Sequence, residues 1–134
     1  GRALYAEQQR RLARLSGVDS TDADLFAAAI DATLDAMLAQ PDADSTALAA
    51  AMSAALNQGL APMSTRGRTT LGLTGPGYAR VRDSIVGFLA SPGFRSFAAY
   101  NPAADLDALV VPTLMLYGAK DFQVPADLNA PPAR

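Results

Sequence analysis

Apolar side chains recur at helical spacing through most of the first ninety residues, and the pattern changes character only near the far end. Between Leu4 and Leu15 the positions Leu4, Gln8, Leu12 and Leu15 fall on one helix face, with Gln8 a polar interruption. Gly17 then stands where a left-handed cap would end the helix. Thr21 or Asp22 is placed to cap a second helix whose stripe of Phe26, Ile30, Leu34, Met37 and Leu38 continues until Pro41 forbids it. Ser45 opens a third, alanine-dense helix with Leu48, Met52, Ala55 and Leu56 on one face, and Asn57 to Gly59 offers a stop. Residues 60–77 carry Pro62, Gly67, Gly72, Gly75, Pro76 and Gly77 and read as a long loop. A fourth helix follows from Tyr78, with Val81, Ile85, Phe88 and Leu89 on one face, and the Ser91-Pro92 step ends it.

Beyond Pro92 the aromatics Phe94, Phe97 and Tyr100 recur every three residues in a short helical turn, a spacing that serves core packing or the wall of an apolar pocket. Asp105 to Leu109 reads as a brief helical turn feeding Val110-Val111-Pro112. Residues 113–117 (Thr-Leu-Met-Leu-Tyr) are continuously apolar rather than alternating, the signature of a strand covered on both faces in a parallel sheet. Gly118 stops the run, and Asp121 follows three residues later. A carboxylate just past the carboxyl end of a buried strand is where open α/β sheets place their chemistry. The expected fold class is therefore α/β: a helical segment over 1–90, then a return at 91–134 to a sheet-bearing core with strand 113–117 and acid loop 118–125. The neighbouring strands it requires are absent from the sequence, so the strand is expected to fray or associate.

Composition narrows the chemistry. The chain has 134 residues, 50% of them hydrophobic and 18% charged, the balance of a globular domain. Its formal charge of -2 argues against a nucleic-acid footprint. Arg10, Arg11 and Arg14 cluster, but Glu7 four residues before Arg11 marks a solvated helix face. No apolar run approaches the roughly 20 residues that cross a bilayer. Cysteine and histidine are both absent, which removes disulfides, thiol chemistry and nearly every zinc or transition-metal site. The glycines of residues 71–77 follow no strand and precede no Gly-Lys-Ser/Thr, so a phosphate cradle is not indicated.

The succession Ser91-Pro92-Gly93-Phe94-Arg95-Ser96-Phe97, Tyr100-Asn101-Pro102, the run from Leu106 to Val111, then Pro112 through Pro125 and Asn129 resembles the α/β-hydrolase-fold enzymes. More narrowly, it is similar to the cap-bearing, peptidase-related serine hydrolases and esterases, in which a helical insertion precedes the strand carrying the triad acid. The close match covers about the last third of the chain, and the helices before it, with Glu7-Gln8 in the first, are similar to that family's cap. The resemblance implies that Asp121 is the acid of a Ser-His-Asp triad, with Asp127 the rival and simple turn capping the alternative role. It also implies a small ester or amide substrate and no cofactor.

The departures are equally plain. A Gly-x-Ser-x-Gly elbow is missing, and no histidine follows the acid. The chain is thus expected to be an internal slice of a longer hydrolase, inactive alone and dependent on the core that holds nucleophile and histidine. Two alternatives stand beside this: a self-contained helical interaction module, and a catalytically dead hydrolase homologue.

Overall fold

The computed structural model describes residues 2–114, 116–118, 121 and 126–129. Helices α1 (Arg2–Leu15), α2 (Ser20–Leu38), α3 (Ser45–Leu60), α4 (Thr65–Thr70), α5 (Tyr78–Leu89), α6 (Pro92–Ala99), α7 (Ala103–Asp107) and α8 (Ala126–Asn129) are the regular elements, and no strand occurs among the described residues. The chain divides into two compact units, Gly1–Ala99 and Tyr100–Arg134.

The α/β fold class is therefore corrected to an all-helical one over the described residues. Thr113, Leu114, Leu116 and Tyr117 of the expected strand 113–117 lie in non-regular backbone, and Met115 falls outside the described residues. The reason is elementary: a helix satisfies its own N–H and C=O groups, whereas a strand must exchange them with a neighbour, and this sequence supplies none.

In the first unit α2 is the central element, packed most extensively on α3 and then on α1, with α6 also against it; α3 meets α5, and α6 meets α1 and α5. The expected stripe is buried at Phe26, Ile30, Leu34 and Met37, while Leu38 is left at the edge. These residues join Leu48, Met52, Leu56, Leu60, Val86 and Leu89 in one core cluster. Segment 92–99 packs with this unit as α6.

Local signals set most boundaries. Gly17, at φ 87°, closes α1 with a Val18 N–H bond to the Ala13 carbonyl at 3.1 Å, and Val18 is buried behind it. The cap of α2 is Asp19, whose carboxylate accepts from the Asp22 N–H at 3.0 Å, not Thr21 or Asp22. Asp44 caps α3 by accepting from Thr46 and Ala47. Gly59 is no stop: α3 runs through it to Leu60, and a Cβ there would lie 2.6 Å from the Cα of Ala29 on α2. The stretch expected to be a long loop contains α4, begun by Ser64, whose Oγ accepts from the Gly67 N–H at 3.0 Å.

Candidate functional site

Asp121 is exposed, and its N–H donates to the Gly118 carbonyl at 3.1 Å. Before Gly118 the apolar side chains face solvent: Val110 is 95% exposed, Leu114 81% and Leu116 84%. The remainder of the acid loop, residues 119–120 and 122–125, lies outside the described residues. Asp127, the rival acid, is exposed in the first turn of the four-residue α8. In the same unit the Tyr100 hydroxyl donates to Asp105 Oδ2 at 2.5 Å, and that bond to a carboxylate raises the Tyr100 pKa.

Phe94 and Phe97, with Phe88, belong to an aromatic group on the first unit that also takes in Tyr5. Ring centroids are 4.8 Å apart for Tyr5 and Phe94, 5.0 Å for Phe88 and Phe94, and 5.5 Å for Phe94 and Phe97. Phe94 packs against the core, while Phe88 is 56% exposed and Phe97 is exposed beside it. Burial pushes the Tyr5 pKa up. Neither the packing role nor the surface role is exclusive here, because the group spans both. Tyr100 lies in the second unit.

Two constellations near α4 escaped the sequence pattern. Asp22 is 3% exposed on α2; its Oδ1 accepts from the Ser64 N–H at 2.8 Å and its Oδ2 from the Ser64 hydroxyl at 2.5 Å. The Ser64 hydroxyl bond, then the Ser64 N–H, hold the Asp22 carboxyl below the usual carboxylate range, against a desolvation penalty that acts the other way. A serine on a carboxylate invites a catalytic reading, but with no histidine in the sequence there is no imidazole to take the hydroxyl proton. Ser64 also caps α4 through Gly67, which is the structural work the pair performs.

The second constellation is a cavity of about 390 Å³ between the end of α3, the turn after α4 and the start of α5, lined by Asn57, Leu60, Ala61, Arg68, Leu73, Thr74, Gly75 and Tyr78. Its shape comes from the end of α4: the Leu73 N–H bonds the Arg68 carbonyl at 2.8 Å around Gly72, at φ 69°, folding the chain back toward α5. The Tyr78 hydroxyl donates to Asn57 Oδ1 at 2.5 Å. Burial raises the Tyr78 pKa, opposed by the charges of Arg82 and Arg68. The signal that could have found α4 was Ser64, a good capping residue directly after Pro62-Met63.

Among the described residues no group of three or more His, Cys, Asp or Glu side chains could hold a metal ion, and no helix is long and apolar enough to cross a membrane. No protein-family model, no curated protein and no solved structure matches the chain.

Proposed function

We propose that this chain is the part of a serine hydrolase that contributes Asp121, the triad acid, together with a helical lid. The reaction is acyl transfer from an ester or amide to water. Serine attacks the carbonyl as the histidine takes its proton, the same histidine then protonates the leaving group, and water repeats the sequence on the acyl-enzyme. Asp121 would hold the histidine in the tautomer that presents a free nitrogen to the serine, and would stabilise the imidazolium once formed. Because the sequence has no histidine, the base must come from outside these residues.

The observation that carries the reading is the hydrogen bond from the Asp121 N–H to the Gly118 carbonyl, with Asp121 exposed shortly after an apolar run left uncovered at Val110, Leu114 and Leu116. Apolar side chains in that state need a covering partner, and the resemblance of the succession from Ser91 to Asn129 supports a hydrolase core in that role. The test is hydrolysis of p-nitrophenyl butyrate by the polypeptide that carries this chain with its serine and histidine. Asp121→Asn should lower kcat by about 10⁴-fold, as wrong-tautomer variants of such triads do, with an unchanged melting temperature. An unaltered kcat would remove Asp121 from the mechanism, and an equal loss in Asp127→Asn alone would move the assignment there.

A second reading, a helical interaction module, is favoured by one observation: the first unit has its own buried core and presents Phe88 and Phe97 on its surface. The same assay separates the two, since a module has no esterase activity to lose.

A further inference from the structure

Arg68 is anomalous for a charged residue. Its Nε is shut off from water and has no hydrogen-bond partner, and among the described residues no carboxylate lies within ion-pairing distance of its guanidinium. Asp22 is close enough for its carboxyl to feel the charge of Arg68, yet both Asp22 oxygens are engaged by Ser64. A sealed Nε is out of reach of a ligand as well as of water, so what Arg68 offers its surroundings is a positive charge left without an ion-pair partner among the described residues.

Arg68 lines the 390 Å³ cavity, whose other walls divide into an apolar half, with Leu60, Ala61 and Leu73, and a polar half, with Asn57, Thr74 and Tyr78. Leu60 and Leu73 are core residues exposing only a few per cent of their surface. The other charge felt at Tyr78 is that of Arg82, also positive, though Arg82 is paired with Asp83 at 2.7 Å. A guanidinium with no ion-pair partner among the described residues, neutral hydroxyl and amide groups and an apolar wall suit an anion with a small apolar body.

We infer that this cavity binds a small organic monocarboxylate, its oxygens on Arg68 and its hydrocarbon against Leu60 and Leu73. The carboxylate is preferred to inorganic phosphate because half of the lining is apolar and would leave phosphate oxygens without donors. The inference stands on the first unit alone and does not depend on the hydrolase proposal.

The experiment is a titration of the full chain with benzoate, with benzamide and inorganic phosphate as controls, followed by backbone amide NMR shifts and thermal denaturation. Saturable shifts centred on Asn57, Thr74 and Gly75, with a rise in melting temperature, are expected for benzoate. Arg68→Met keeps the stem of the side chain and should weaken benzoate by at least about tenfold, the loss expected for a charge-assisted bond. Binding should also weaken with added salt. Benzamide tests the charge without any substitution, so the inference stays exposed even if Arg68→Met fails to fold. Equal binding of benzamide and benzoate, tighter binding of phosphate, or no saturable shift at those residues would each overturn it.

Discussion

At the scale of single residues, the strongest determinant is the pair of Asp22 and Ser64, 42 positions apart in sequence. Gly67 sits so close above the carboxylate that a Cβ there would come within 2.2 Å of Asp22 Oδ2, so α4 can dock on α2 only with glycine at that point. Ionised Asp22 accepts from both donors of Ser64, and its pKa is held down in the fold. The sign of the pH effect follows. A depressed folded-state pKa adds stability above the ordinary aspartate value of about 3.9, and that stability is lost as pH falls through the folded value. Glu7 acts in the same direction, its pKa lowered chiefly by the hydrogen bond from Arg10 at 2.6 Å and further by Arg11. The melting temperature should hold near neutral pH and fall steeply below about pH 4. In Asp22→Asn it should start lower at pH 7 and fall less over the acid range. Circular dichroism melts between pH 7 and pH 3 check this, and parallel curves for parent and variant would deny Asp22 its part.

At the scale of elements, the contact of α2 with α3 offers a test in which two effects oppose. Replacing glycine by alanine inside a helix ordinarily stabilises by about 0.5–1 kcal/mol, through backbone entropy. At Gly59 the added methyl would meet Cα and Cβ of Ala29 at 2.6 Å, and backbone cannot rotate out of the way as a side chain can. Overpacking of that kind costs about 1–3 kcal/mol, so Gly59→Ala is expected to destabilise despite its better propensity. At Gly87 on α5 nothing lies within 4 Å of an added Cβ, so Gly87→Ala should follow propensity and stabilise by about 0.5–1 kcal/mol. Urea midpoints with unchanged m-values read both; two shifts of the same sign would show that close packing does not govern this interface. The pair also explains why sequence patterning took Gly59 for a stop. Its role is fixed by an alanine on another helix, which spacing along α3 cannot reveal. The helix at 65–70 was missed for a related reason: Thr-Arg-Gly-Arg-Thr-Thr carries no apolar stripe, and the element is held by its Ser64 cap and by Asp22. By contrast α2 and α5 were legible because their stripes at Phe26 to Met37 and at Val81 to Leu89 are long enough to state a period.

At the scale of the whole molecule, the two units differ in how they meet their backbone and apolar demands. The first closes a core from Ala13 to Ala98 out of helices that need no partner for their backbone bonds. The second carries Val110, Val111, Leu114 and Leu116 on its surface, side chains whose pattern announces burial. That contrast is why the helices could be read from the sequence and residues 113–117 could not: a continuous apolar run specifies that it will be covered, not by what. The carboxylate after the run was legible as a candidate, because a glycine stop followed by an acid is local information, whereas the Arg68 cavity depends on three elements meeting. Two tiers of amide exchange should follow. Amides of α2 and α3 should exchange slowly, with protection independent of protein concentration, while those of Leu114 and Leu116 should exchange fast in dilute solution. At higher concentration the exposed run should draw copies together, giving protection there that rises with concentration. Leu114→Lys with Leu116→Lys should abolish the concentration dependence in exchange and in sedimentation, and leave the α2 and α3 amides unaltered. Slow exchange at Leu114 and Leu116 in dilute solution would mean that this segment is already covered within one chain.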